Sequence, residues 1–300
     1  MRTMFEQARA NKTRSYLLIG FFIVVLGLLG AVLGLVWGNT YVGLSIAVVI
    51  SLVYSIFSYY TGDSLILTMT GARPVTKKEF PYLYHTLEGL SLAAGIPTPK
   101  AYVIDDSALN AFATGRDPQH ASVTVTTGLL NKMDRQELEG VIAHEMSHIQ
   151  NYDIRFMMLT AVLVGLVTLL SDFIMRSMWY SRGSRRESRG GGQLQIILLV
   201  VGVLFAILAP LIGQLIKLAL SRQREYLADT SAVILTRYPP GLIGALEKIK
   251  KDPDPLVDNA NHATAHLFIS TPFREDKSFI TSFFSTHPPI DDRIKRLREI

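Results

Sequence analysis

The stretch HEMSH, His144-Glu145-Met146-Ser147-His148, decides how the chain is read. The run around it, 134–153, has the spacing of a helix throughout. Asp134 is placed as its N-cap, with Glu137 three residues on as the other half of a capping box. Leu138, Val141, Ile142 and Ile149 recur at helical spacing and give the run an apolar face. Residues four apart on a helix project one above the other, so His144 and His148 share a face. Two neutral imidazoles so placed can hold one zinc ion, and Glu145 is placed to reach a water at that ion. The plain alternative is a chance pair of surface histidines beside a solvated glutamate. A helical HExxH also needs a third protein ligand, and the rest of the chain is searched for one.

Composition narrows the search. Nearly half of the 300 residues are hydrophobic (49%), too apolar for an ordinary soluble domain, which suggests a membrane protein with a soluble part. The formal net charge of +5 fits basic loops at a membrane surface. No basic stretch is interleaved with aromatics as a nucleic-acid stacking platform requires, so no nucleic-acid partner is expected. The absence of cysteine excludes disulfides, thiolate metal sites and cysteine nucleophiles, leaving histidines and carboxylates to hold any metal.

Four long apolar runs follow in order: 16–37, 41–60, 156–175 and 194–220. Each approaches or exceeds the ~20 residues a bilayer crossing needs. A signal peptide is the alternative for the first, but that run is long and lacks an obvious small-residue cleavage site. The basic tail before it (Arg2, Arg9, Lys12, Arg14) and the uncharged turn 38–40 put the N-terminus in the cytoplasm. No charged residue lies in the middle of any run, which argues against an ion pathway. The loop 176–192, with SRGSRRESRGGG at its core, is expected to be disordered. Its arginines conflict with an outside location, so runs three and four either form a hairpin that does not cross fully or override the charge preference.

Between and after the runs lies soluble-type sequence. The segment 80–94 is a helix stopped by Gly95 and Pro97, and 101–104 is strand-like. Residues 121–127 alternate small or polar residues with Val123 and Val125, which predicts a half-exposed strand. An open edge there is either a plain edge strand blunted by threonines or a place for a substrate backbone to pair. Pro239-Pro240 starts a short helix over 242–249, and a last helix spans 291–299. His262 and His266 are four apart but lack a glutamate beside the first, so packing or capping is preferred to a second metal.

Directly after the fourth run comes SRQREYLAD, where Glu225 and Asp229 are four apart on one helical face. Glu225 is the candidate third ligand, and Asp229 a carboxylate to accept a ligand histidine's other N–H. A solvated salt-bridge face is the plain reading. Crossings by runs three and four would return Glu225 to the HEMSH side and favour the ligand.

HEMSH, SRQREYLAD, the upstream NAFATG (110–115) and the terminal THPPIDDRI together resemble the HtpX-type membrane metalloproteases, relatives of the CAAX prenyl proteases. The likeness covers nearly the whole chain. It implies an α-helical membrane protein with an α+β, zincin-like zinc-metalloprotease domain. Four apolar membrane helices and a small β-sheet with an exposed edge strand are expected. The resemblance implies one Zn2+ per chain on His144, His148 and Glu225, with Glu145 as catalytic base. His287 and Arg293 match positions that support the transition state or the metal's surroundings. Asn110, Ala111, Phe112, Ala113, Thr114 and Gly115 would belong to the substrate-side edge. It further implies quality control of misassembled membrane proteins in the cell membrane, with stress-linked expression and the active site facing the cytoplasm. A prenyl-protein protease and a non-catalytic membrane scaffold are the competing readings. The expected organisation is a tail and two membrane helices (1–60), a first catalytic part (61–155), two further membrane helices (156–220) and a second catalytic part (221–300).

Overall fold

The computed structural model describes residues 4–36, 38–163, 165–166, 222–252, 264, 267–269 and 288–300. Helices α1 (Met4–Val36) and α2 (Thr40–Met69) form an antiparallel hairpin. The turn is set by Gly38, in the left-handed region at φ 87°, and by Asn39, whose side chain caps α2 at the Val42 amide (3.1 Å). The basic tail is not a separate segment. Met4–Val36 is a single helix, because the stretch before Tyr16 holds good helix formers and neither Gly nor Pro. Val24, Leu28, Leu35, Val42, Ile46, Val49, Val53 and Phe57 face outward, and both helices are long and apolar enough to cross a membrane. On α2, Tyr41 and Tyr60 lie about 28 Å apart along the helix, close to the thickness of a hydrocarbon core. Half of the third run, all of the fourth and the loop between them lie outside the described residues.

The soluble-type sequence builds a four-stranded sheet of order β1-β2-β4-β3 from β1 (Arg73–Pro74), β2 (Lys100–Ile104), β3 (Ala111–Gly115) and β4 (Ala121–Thr126). β2 and β4 run parallel, and β3 returns antiparallel to β4. Helix α3 (Pro81–Ala94) precedes β2 and ends at Gly95, whose φ of 66° suits a residue without Cβ. The short α4 (Thr127–Lys132) follows β4, and then comes α5 (Arg135–Gln150), which carries HEMSH. Val141, Ile142, Met146 and Ile149 of α5 join Leu83, Leu87, Val103, Val123 and Val125 in one fully buried core.

Both ends of α5 are fixed. At the start, Asp134 Oδ1 accepts from the Glu137 amide (2.9 Å) and Glu137 Oε2 from the Asp134 amide (2.8 Å). Lys248 of α8 (Pro239–Lys250) adds a 2.5 Å contact to the same Glu137 oxygen. α8 crosses α5 closely at Gly140, where a Cβ would sit 2.6 Å from the Leu242 nitrogen. At its far end α5 does not run on to Asp153. Asn151 caps it, Tyr152 takes a left-handed φ of 58°, and a new helix, α6, covers 153–163. That turn brings Asp153 back beneath His148.

The strand assignments also change. Residues 121–126 are buried throughout and form a central strand, because β2 and β3 flank them. The sheet has two edges: the two-residue β1, which is exposed, and β3, the predicted substrate-side edge, whose five residues are all buried and whose Ala111 carbonyl already accepts from the Ile269 amide (2.9 Å).

In the hairpin, Gly30 and Gly34 of α1 meet Gly43 and Ala47 of α2 so closely that a Cβ at Gly30 would overlap the Ala47 Cβ. Gly30→Leu is expected to cost on the order of 1–3 kcal/mol through forced separation of the helices. Thermal melting in detergent is the check, with Gly89→Ala, which meets nothing within 4 Å, as the tolerated control.

Candidate metal centre

His144 and His148 lie on the buried face of α5, their rings edge to face with centroids 4.9 Å apart. Their Nε2 atoms approach to 3.3 Å. Helix α7 (Arg222–Thr236) packs beside α5 and brings in Glu225, with Oε2 3.7 Å from His144 Nε2 and Oε1 3.6 Å from His148 Nε2. Ligand atoms from the three side chains all lie within 4.8 Å of one another. The donor set fits a metal ion. Two nitrogens bonded tetrahedrally to one zinc at about 2.0–2.1 Å would be about 3.3–3.4 Å apart.

The outward nitrogens fix the rings. His144 Nδ1 lies 3.0 Å from Asp229 Oδ1, and His148 Nδ1 lies 3.1 Å from Asp153 Oδ2. With Nδ1–H donated to a carboxylate, each ring turns its Nε2 lone pair toward its neighbour. Arg293, on α9 (Ile290–Leu297) and fully buried, grips Asp229 through Nε (2.9 Å) and Nη2 (2.6 Å) and donates to the Ile269 carbonyl (3.2 Å). Asp153 Oδ1 accepts from Asn11 (2.7 Å) and Arg224 (3.3 Å).

The buried carboxyls of Glu145, Asp153, Glu225 and Asp229 outnumber the buried guanidiniums of Arg224 and Arg293 beside them. Burial and Arg293 both push the His144 imidazole toward neutrality, yet Asp229 and Glu225 outweigh them and raise its pKa to about 9. A proton or a metal ion meets the same demand. Burial opposes ionisation of Asp229 too, but Arg293 and His144 hold it down to about 2. Glu145 moves the other way. Burial is the main cause of its raised pKa, the Glu225 charge adds to it, and His144, His148 and Arg293 only partly offset it.

His144, Glu145, His148, Glu225, Asp229 and Arg293 are therefore brought together, from α5, α7 and α9. Asn110–Gly115 lie along β3, which packs against α5. His287, His262 and His266 lie outside the described residues. Sequence reasoning missed Asp153, Arg224 and Asn11. Asp153 was visible as a carboxylate five residues after His148, but only the turn at Tyr152 aims it backward. Asn11 offered no signal within its basic stretch.

Arg293→Leu would leave Asp229 buried without its cation. Losses of about 3–5 kcal/mol are expected for breaking such a pair. Denaturant unfolding in detergent measures this, and wild-type stability would show that the pair carries little.

Residues 77–300 match peptidase family M48. The chain is 48% identical over 296 residues to the protease HtpX homologue of Dictyoglomus thermophilum, covering 99% of this chain and 94% of that one. Against the protease HtpX homologue of Streptococcus gordonii the identity is 44% over 299 residues, covering 99% and 100%. Among solved structures, that of S. mikatae Ste24p is similar in fold, with a TM-score of 0.53 at 22% identity. That match covers 97% of this chain and 66% of the Ste24p chain, so this chain spans about two thirds of that neighbour.

Proposed function

Since the chain belongs to peptidase family M48 and is a metalloprotease, we propose that it is a membrane-embedded zinc endopeptidase in which His144, His148 and Glu225 hold the ion and Glu145 is the general base. The carrying observation is the pair of Nε2 atoms 3.3 Å apart with the Glu225 carboxylate facing both. Two imidazoles and one carboxylate form a donor set suited to zinc, with a position left for water or substrate. A zinc ion there supplies Lewis acidity to the scissile carbonyl and lowers the pKa of its water toward about 7.

The protein's own groups do the rest. Glu145 accepts the proton of the attacking water and returns it to the departing amine, a task favoured by the raised pKa that burial gives it. Asp229 and Asp153 hold the two imidazoles in one tautomer. Arg293 keeps Asp229 ionised and oriented. His287 is proposed as a donor to the developing oxyanion. Along β3, Ala111 turns its carbonyl away from β4 toward Ile269, so by strand alternation Ala113 and Gly115 point their backbone groups the same way. With the Ala111 carbonyl already taken by Ile269, Ala113 and Gly115 are the positions proposed to pair with an extended substrate backbone.

The substrates proposed are cytoplasmic loops and tails of misassembled membrane proteins. The membrane end of α2 supports a site beside the bilayer. There Tyr59 and Tyr60 are covered by Arg155 and Arg116 (5.4 and 5.3 Å to the ring centroids), and Tyr152, four residues from His148, is covered by Lys12 (3.9 Å). Tyrosines beside cations belong at the lipid–water boundary. Arg9, Lys12 and Arg14 at the start of α1, against an uncharged 38–40 turn, favour the cytoplasmic side.

Glu145→Gln is expected to retain metal and to lower cleavage of casein in detergent by about 10²–10⁴-fold. Metal content and initial rate, measured on the same preparation, decide it. A metal-loaded variant cleaving at the wild-type rate would sink the base assignment. Chelation should abolish wild-type cleavage, and added Zn2+ should restore it.

A further inference from the structure

Asn11 stands among Arg9, Lys12 and Arg14 at the start of α1, yet it is only 2% exposed. Its side-chain amide has two N–H groups, and both are used. Nδ2 donates to Asp153 Oδ1 at 2.7 Å and to the Asn151 carbonyl at 3.0 Å. Asn151 is the C-cap of α5, and Asp153 is the residue whose other oxygen meets His148 Nδ1 at 3.1 Å. Between them Tyr152 is held at φ 58°, with the Lys12 ammonium over its ring. Consecutive residues of α1 thus grip three consecutive residues of the turn that ends the HEMSH helix.

We infer that Asn11 is a positioning residue for the metal centre: it locks the Asp153 carboxylate so that Asp153 can orient His148. The proposal rests on His148 being a metal ligand. The Asp153 carboxylate is fixed by three donors from three directions: Asn11, Arg224 and His148. Arg224 is the longer contact, at 3.3 Å, and it shares Oδ1 with Asn11. Without the amide, Oδ1 keeps only the Arg224 contact, and rotation toward that charge draws Oδ2 away from His148. A carboxylate that no longer holds Nδ1–H no longer fixes the tautomer presenting Nε2 inward. The first apolar helix is then a component of the active centre as well as an anchor, through one hydrogen bond bridging 142 positions of sequence.

The test uses the full chain in detergent, loaded with Zn2+ for affinity by chelator competition and with Co2+ for its ligand-field spectrum. Asn11→Ala is expected to weaken Zn2+ binding about tenfold, the low end for partners of metal ligands, and to shift the Co2+ bands. Asn11→Gln, which keeps a donor, should recover part of the affinity. Ser15→Ala, whose hydroxyl meets only the Asn11 backbone carbonyl (2.9 Å), should change neither readout. In an Asp153→Ala background the Asn11→Ala loss should vanish, because the route through Asp153 is already cut. A lower melting temperature with unchanged Zn2+ affinity and Co2+ spectrum would overturn the inference and make Asn11 a structural tether. So would a full tenfold loss persisting in the Asp153→Ala background, or failure of both Asn11 variants to fold. Wild-type protein that takes up no metal, or His148→Ala that keeps it, would instead overturn the ligand assignment beneath.

Discussion

Two imidazole nitrogens pointing at each other across 3.3 Å, with a carboxylate closing the third side, form an arrangement that cannot stand by itself. Each lone pair repels the other, and each buried carboxylate has lost its water. Positive charge between them relieves both problems. Much of the surrounding structure maintains that demand rather than dissipating it. Asp229 and Asp153 sit behind the rings, where they bias the tautomer without filling the metal position. Arg293 and Arg224 each brace one of those aspartates, and Arg293 also reaches inward, to 3.3 Å from His144 Nδ1 and 3.9 Å from Glu225 Oε2.

This layering explains why three separate helices converge here. A single helix can offer two ligands four residues apart, but it cannot also aim carboxylates at their far nitrogens. α7 contributes Glu225 and Asp229 one turn apart, so one helix face supplies both a ligand and a ring-holder. α9 is short, and its buried Arg293 anchors it to that face. The close crossing of α8 over Gly140 and the Lys248–Glu137 contact hold α5 at its start, away from the chemistry. The Tyr152 turn holds it at the other end.

The parts legible in sequence were those governed by local spacing. The capping box at Asp134, the four-residue separation of the histidines and of Glu225 from Asp229, and the Gly95 stop depend on helix geometry alone, and each takes the expected local form. What was misread depends on contacts between distant segments. Residues 121–126 carry the small and polar residues of a half-exposed strand, but Thr124 and Thr126 are buried by neighbouring strands that the sequence does not announce. Helical spacing continues through 151–152, and nothing short of the tertiary clamp shows that Tyr152 must turn left-handed. Membership of peptidase family M48 was legible because HEMSH and SRQREYLAD occur together, far apart in sequence.

The extension of α1 beyond its apolar stretch gives the centre its address. Asn11 lies about 7.5 Å along the helix from Tyr16, roughly one and a half turns. In the proposed membrane reading, with Tyr16 on α1 and Tyr60 on α2 at the lipid boundary, Asn11 would fall at headgroup depth. Asp153 and His148 follow within two hydrogen bonds. The centre is therefore tied to the first apolar helix by side-chain contacts, rather than by a tether of variable length. The same hydrogen bonds that fix the Asp153 carboxylate beside His148 thereby also fix how the first helix sits against the cluster.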